Sequence, residues 1–146
     1  MGRQFTLTTA DKHTLGAYRA DPQGAPKGGL VVVQEIFGVN KHIRAVCDRL
    51  AALGYVAVAP AVFDRFVRDF ECGYTPDEIA HARSYLGNLN WDHMMADIAA
   101  AQGDSTSHFL PHLPGPQLRV KKSFDEAGFG SALGRVDLSC AGKGVG

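Results

Sequence analysis

The strongest constraint in the chain is an unbroken run of small and apolar residues, Gly29-Leu30-Val31-Val32-Val33, that ends in Gln34-Glu35-Ile36-Phe37-Gly38. A strand exposed on one face alternates apolar and polar residues, whereas one covered on both faces cannot. Residues 30–33 therefore read as a buried central strand of a parallel sheet, with helices above and below. Gln34 and Glu35 then fall at its carboxyl end, the edge where open α/β sheets bind their ligands. A carboxylate delivered there is placed for chemistry; the alternative is a surface Glu in an ordinary strand-to-helix loop.

The flanking residues extend this reading. Asn40 is a good helix cap, and Ile43, Val46, Cys47 and Leu50 recur at the spacing of one helical face until Gly54 stops the helix. Tyr55-Val56-Ala57-Val58-Ala59 is a second apolar run, closed by Pro60, so residues 29–59 form a strand, helix, strand unit of parallel type with a right-handed crossover. Upstream, Phe5 and Leu7, then Leu15 and Ala17, alternate with polar neighbours around Ala10-Asp11-Lys12-His13, which predicts an antiparallel hairpin. The Pro- and Gly-containing connection over residues 21–28 puts that hairpin at one side of the sheet.

QEIFGVN followed by HIR, the helix end VCDRLAALGY and then VAVAPAVFDR together resemble the amino-terminal half of the dienelactone hydrolases, small α/β-hydrolase-fold enzymes that open lactone or ester bonds. The resemblance covers about residues 3–102. It implies a partial α/β-hydrolase fold, with an amino-terminal hairpin, parallel strands and flanking helices. It also implies that Glu35 controls the ionisation of a nucleophilic cysteine, and that the backbone N–H of Ile36 donates to an oxyanion. In the family, residues that handle a substrate carboxylate lie in the helix after the long loop. Tyr85 matches a family tyrosine, His81 stands where an arginine is expected, and Arg83 is close by. A small-molecule ester or lactone is the implied substrate, and no cofactor is implied.

Composition narrows the alternatives. The chain has 146 residues, within the range of one domain, and its 15 Lys plus Arg balance its 15 Asp plus Glu. No net charge draws it to nucleic acid or to a membrane surface. No apolar stretch approaches a transmembrane helix, and MGRQFTLTTADKH lacks a signal-peptide core, so cytoplasmic residence is the expectation. Cys47, Cys72 and Cys140 are odd in number and unpatterned, which argues against a disulfide framework and against a zinc site. Cys47, on the apolar helix face, reads as a small core residue.

Residues 61–74 mix aromatic and charged side chains without either period and read as a loop over the sheet edge. Thr75-Pro76-Asp77-Glu78 is a strong helix start, followed by Ile79, Ala82, Arg83 and Leu86 at helical spacing. Asn88 to Asn90 breaks that helix. A further helix then carries Trp91, Met94, Met95, Ile98 and Ala99 on its apolar face, and Asp92, His93 and Asp97 on its polar face. The domain is expected to span residues 3–102, with residues 103–146 an irregular or disordered tail, native or frame-shifted. That segment is glycine-rich, holds Pro111, Pro114 and Pro116, and shows no useful periodicity.

Ester hydrolysis on this fold needs a nucleophile on a tight strand-to-helix turn, a histidine base, an acid and two oxyanion donors. The family's nucleophile lies in a G-x-C-x-G turn. No Ser or Cys here has that setting. Cys140 comes nearest, in Leu138-Ser139-Cys140-Ala141-Gly142, but Leu138 would clash in the turn and only six residues follow. Gly103-Asp104-Ser105-Thr106-Ser107 follows a helix rather than a strand. His108 and His112 have ligand-like spacing, but the prolines at 111 and 114 forbid the helix that would align them. Lys41, His42 and Arg44 read as solvated charge at a helix start. Gln34 to Phe37 fill the turn where a phosphate-binding loop would need glycines.

Three readings follow. The first is a dienelactone-hydrolase-like enzyme by descent, inactive as this chain because the nucleophile turn and the later Asp and His are not recognisable. The second is a non-catalytic truncated fragment or interaction domain. The third, a small nucleotide- or flavin-binding domain, lacks the phosphate loop it would need.

Overall fold

The computed structural model describes residues 2–107. Four strands form one sheet in the order β1-β2-β4-β3. Strands β1 (Arg3–Thr8) and β2 (Thr14–Ala20) pair as the expected antiparallel hairpin, with Phe5 opposite Ala17 and Leu7 opposite Leu15. Strand β3 (Gly28–Val31) leads through helix α1 (Lys41–Ala52) to β4 (Tyr55–Pro60), and β3 and β4 are parallel. A 3-10 turn (Val62–Arg65), helix α2 (Pro76–Ser84), a second 3-10 turn (Leu86–Asn88) and helix α3 (Trp91–Thr106) complete the described chain. No helix among the described residues is long and apolar enough to cross a membrane.

The buried central strand is β4, which corrects the sequence expectation for residues 30–33. β4 bonds β2 on one side and β3 on the other, and Val56, Ala57, Val58 and Ala59 are almost fully buried. Its alternation divides the core. Ala57 and Ala59 face α1 with Ile43, Cys47 and Ala51, while Val56 and Val58 join Leu7, Leu15, Ala17 and Ala101 on the α3 side. β3 is the edge strand of the described sheet; its four residues are half-buried, and Val33 beyond it is 46% exposed. Apolar content alone cannot order strands, because order is set by partners distant in sequence. Pairing also starts earlier than expected, at Gly28, and ends with the Val32 N–H on the Val58 carbonyl at 2.8 Å.

The caps follow the sequence. The Asn40 side chain accepts from the Ile43 N–H, and Gly54 takes φ +99° to end α1. Thr75 and Glu78 form a reciprocal capping box with Pro76 in the first turn of α2.

Helix α3 departs from expectation in two ways. It runs past Gln102 to Thr106, and it buries Asp97, Ala101 and Ser105 rather than Trp91, which is 54% exposed. Small residues are needed there because α3 lies close against β3. A Cβ on Gly29 would come within 2.5 Å of the Ser105 carbonyl oxygen. Asp97 is fully buried because Arg65 reaches it from the 3-10 turn, donating Nε at 3.0 Å to each carboxylate oxygen and Nη2 at 2.6 Å to Oδ1. Arg65 also pairs with Asp11 of the hairpin turn at 2.8 Å. One guanidinium thus ties the hairpin, the turn after β4 and α3 together.

Two predictions follow from this network. Asp97→Ala leaves the Arg65 charge without its buried partner and should cost about 3–5 kcal/mol, read as a lower urea midpoint at pH 7. Hydrogen bonds from Arg65 and then Thr9 hold the Asp11 carboxyl well below the usual carboxylate range. A depressed folded pKa contributes stability that is present above the unfolded value of about 4 and is lost as pH falls through the folded value. Asp11→Asn should therefore lower the midpoint at pH 7 and shrink the loss of stability on acidification below about pH 4. An acid limb as steep as that of the parent chain would contradict this account.

Candidate functional site

The chain leaves the sheet after Val32 and turns sharply through Gln34-Glu35-Ile36-Phe37-Gly38. The turn closes where the Gly38 N–H donates to the Glu35 carbonyl at 3.3 Å. Gln34 is buried, and its Nε2 donates to the same carbonyl at 3.3 Å. Gly38 takes φ +77°, and a Cβ there would lie 1.9 Å from the Phe70 carbonyl oxygen, so only glycine fits.

The long loop holds the turn from outside. Gly38 bridges to Glu71, and the Cys72 N–H donates to the Phe37 carbonyl at 3.3 Å. Phe37 and Tyr74 meet edge to face at 4.6 Å. Arg44 pairs with Glu71 and donates to the Val39 carbonyl at 2.8 Å, so it is no free cation. Residues 61–74 are thus a buttress rather than a simple cover. Asp64 within them is buried and accepts from the Gly16 and Asp69 N–H groups at 2.7 and 3.0 Å.

Glu35 follows the end of β3, as expected, and it is exposed. Its strand is an edge, so no neighbouring strand among the described residues covers it. The Ile36 N–H has no acceptor among the described residues. Tyr85 caps the end of α2, half-buried in an aromatic cluster with Phe63, Phe66 and Phe70, and its hydroxyl lies 3.3 Å from His81 Nε2. His81 also stacks at a tilt on Phe70, at 5.8 Å between ring centres. Phe70 joins the two halves of the site, with its backbone against Gly38 and its ring against Tyr85 and His81. Arg83 is exposed and, two positions from His81, lies on another face of α2.

Phe70 and Gln34 were not legible as site residues. Phe70 meets Gly38 through its carbonyl, which any residue carries, and its ring contacts with Tyr85 and His81 join residues distant in sequence. Gln34 stands out only because Glu35 follows it.

An open cleft of about 660 Å³ lies beside this turn, lined by Asn40, Lys41, His42, Cys72, Tyr74 and Glu78 among others. It does not include Glu35, Ile36, His81 or Tyr85. Burial and then the Glu78 carboxylate push the Cys72 thiol up, and burial pushes Cys47 up to about 11. Neither thiol is activated as a nucleophile. No group of three or more His, Cys, Asp or Glu side chains suited to a metal ion occurs among the described residues. Ser105 lies buried inside α3, which places its Gly-x-Ser string in a helix. Cys140, His108 and His112 lie outside the described residues.

Comparison with known proteins gives these features a context. The model of the Dienelactone hydrolase family matches residues 15–113. A Synechocystis protein named carboxymethylenebutenolidase is 41% identical over 98 residues, which are 65% of this chain and 40% of that protein. A Methylorubrum extorquens protein of the same name is 58% identical over 52 residues, 35% of this chain and 18% of its own. The chain spans less than half the length of these curated relatives. Among solved structures, a Klebsiella pneumoniae protein named as a dienelactone hydrolase superposes with a TM-score of 0.57 at 29% identity. That match covers 74% of this chain and 45% of the other. A dienelactone hydrolase-like promiscuous phosphotriesterase from metagenomic libraries superposes at 0.51 with 22% identity, covering 79% and 46%, and bears on the fold alone.

The turn yields its own prediction. Gly38→Ala combines a left-handed φ, worth about 1–2 kcal/mol for a side chain, with a backbone clash that no side chain can relieve. It should lower stability by more than that strain alone and increase proteolysis within residues 70–74. A variant with an unchanged thermal midpoint and cleavage pattern would show that the turn is not clamped as described.

Proposed function

The chain belongs to the dienelactone hydrolase family, and from that premise we propose that it is the amino-terminal part of a hydrolase acting on a lactone or carboxylic ester. The observation that carries this reading is the clamped turn, which presents beyond the carboxyl end of a parallel strand a carboxylate, Glu35, and an adjacent N–H, Ile36, that has no acceptor among the described residues. In the proposed enzyme Glu35 biases the ionisation of a cysteine nucleophile by its charge, and the Ile36 N–H stabilises the oxyanion of a tetrahedral intermediate. The relatives named carboxymethylenebutenolidase support a small lactone bearing a carboxylate. His81 and Tyr85, hydrogen-bonded side by side, can donate to that carboxylate, with Arg83 as a more distant cation. Cytoplasmic residence fits this reading, and neither cofactor, nucleic acid nor membrane is required by it.

By itself the 146-residue chain is proposed to be catalytically incompetent. It carries one oxyanion donor and one modulating carboxylate, and its sequence has no G-x-C-x-G turn. Loss of a catalytic triad costs on the order of a million-fold in turnover, and the residue of catalysis depends on a complete oxyanion hole. A second reading, a non-catalytic interaction domain, is supported by the outer edge of β3, which has no strand partner among the described residues.

The experiment is to assay the purified chain on nitrophenyl acetate beside its Cys140→Ala variant. No saturable turnover is expected from either. Turnover that the substitution abolishes would overturn the incompetence and make Cys140 the nucleophile.

A further inference from the structure

The clamped turn contains more than its glycine. Gln34 and Gly38 donate to one and the same acceptor, the Glu35 carbonyl, each at 3.3 Å. The orientation of the Gln34 amide is fixed by chemistry. Its other end, Oε1, would repel that carbonyl, so Nε2 must be the atom that faces it. Gln34 Oε1 is buried with no donor among the described residues, so the side chain holds this position while leaving one of its own polar atoms unpaired.

The described peptide bonds are all trans, and in a trans peptide the C=O of one residue and the N–H of the next point in opposite directions. Two donors holding the Glu35 carbonyl on one side therefore aim the Ile36 N–H to the other. That N–H has no acceptor among the described residues. A free amide in an ordinary turn would rotate with its peptide plane. This one cannot rotate without breaking both bonds at once.

We propose that Gln34 is a positioning residue, whose side-chain amide pins the Glu35–Ile36 peptide plane so that the Ile36 N–H stands ready as a preset donor. This rests on the reading of Ile36 as an oxyanion donor, and it adds the group that orients it. Preset donors matter because a dipole already aligned pays no reorganisation when charge develops opposite it. Gly38 alone would not suffice. Its bond closes the turn but is a single contact about which the peptide can rock, and the second donor removes that freedom.

The test uses the whole 146-residue chain, labelled for solution NMR. In the parent chain the Ile36 amide should exchange quickly with water while that of Gly38 is protected, and the Ile36 N–H should show a full residual dipolar coupling. Gln34→Met keeps the length of the side chain and removes the donor. In that variant the Ile36 coupling should collapse toward zero and the Glu35 carbonyl resonance should move upfield. The β4 amides Val56 and Val58 should keep their couplings, which separates a freed peptide from a disturbed fold. An Ile36 coupling unchanged in Gln34→Met, or a protected Ile36 amide in the parent chain, overturns the proposal. Titration of the parent chain with methylphosphonate, a tetrahedral oxyanion, then tests the reading beneath it. A downfield shift of the Ile36 amide supports a donor role in binding. No shift, alongside a collapsed coupling in the variant, removes the oxyanion reading and leaves the pinning of the peptide established.

Discussion

The structure depends on β4 being covered from every side. Two strands satisfy its backbone, one antiparallel and one parallel, and a helix lies against each of its faces. Burial of Val56 and Val58 is worth roughly 1.5–3 kcal/mol each, and both belong to the layer under α3. Ala57 and Ala59 contribute less by area. Their small size instead lets α1 approach and bury Cys47 completely. A strand in this position fixes two ends at once. Its carboxyl end delivers Pro60 and the Arg65 turn to one side of the hairpin, and its parallel partner β3 delivers the Gln34 turn beside it.

That second delivery would be imprecise without support. β3 is short, and among the described residues it is bonded only along the β4 side, so the chain beyond Val32 gains no rigidity from the sheet. Rigidity comes from the loop instead. The Phe70 carbonyl, Glu71, Cys72 and Tyr74 all bear on residues 37–39 or the Asn40 cap. The loop is in turn anchored at its base by Asp64 and Arg65. A contact network that begins with an ion pair to α3 therefore ends at the peptide carrying the candidate donor.

What could be read from the sequence divides along the range of the interaction. Caps, breaks and the hairpin were legible, because Asn40, Thr75 with Glu78, Gly54 and the alternation of Phe5 and Leu7 act on residues a few positions away. Strand order was not. The run at residues 30–33 is more apolar than β4 to the eye, yet in the described sheet the valine-rich strand lies at the edge and the alanine-bearing one between two partners. Asp97 shows the same limit. On a helical wheel it belongs to the solvent face, and only an arginine 32 positions earlier turns it inward. The position of the candidate site residues was legible, since Glu35 and Ile36 follow β3, while the exposure of Glu35 goes with the lack of a neighbouring strand on that edge among the described residues.

Gly29 and Gly38 connect these observations. Both are places where a side chain would strike a backbone carbonyl, Ser105 in one case and Phe70 in the other. The first lets α3 lie directly on β3, and so places Asp97 within reach of Arg65. The second lets the loop press directly on the turn, and so sets the distance from Gly38 to the Glu35 carbonyl. Backbone-to-backbone packing is stiffer than packing through side chains, because no rotamer can absorb a displacement. Backbone-to-backbone contacts therefore bracket β3, one at Gly29 within it and one at Gly38 in the turn beyond its exit, and among the described residues β3 is an edge strand with a single neighbour. A mobile edge strand would carry its turn with it, and the geometry of Glu35 and Ile36 would blur by the same amount. Clamping the strand from above and at its exit does the work that a second neighbouring strand would do in a closed sheet.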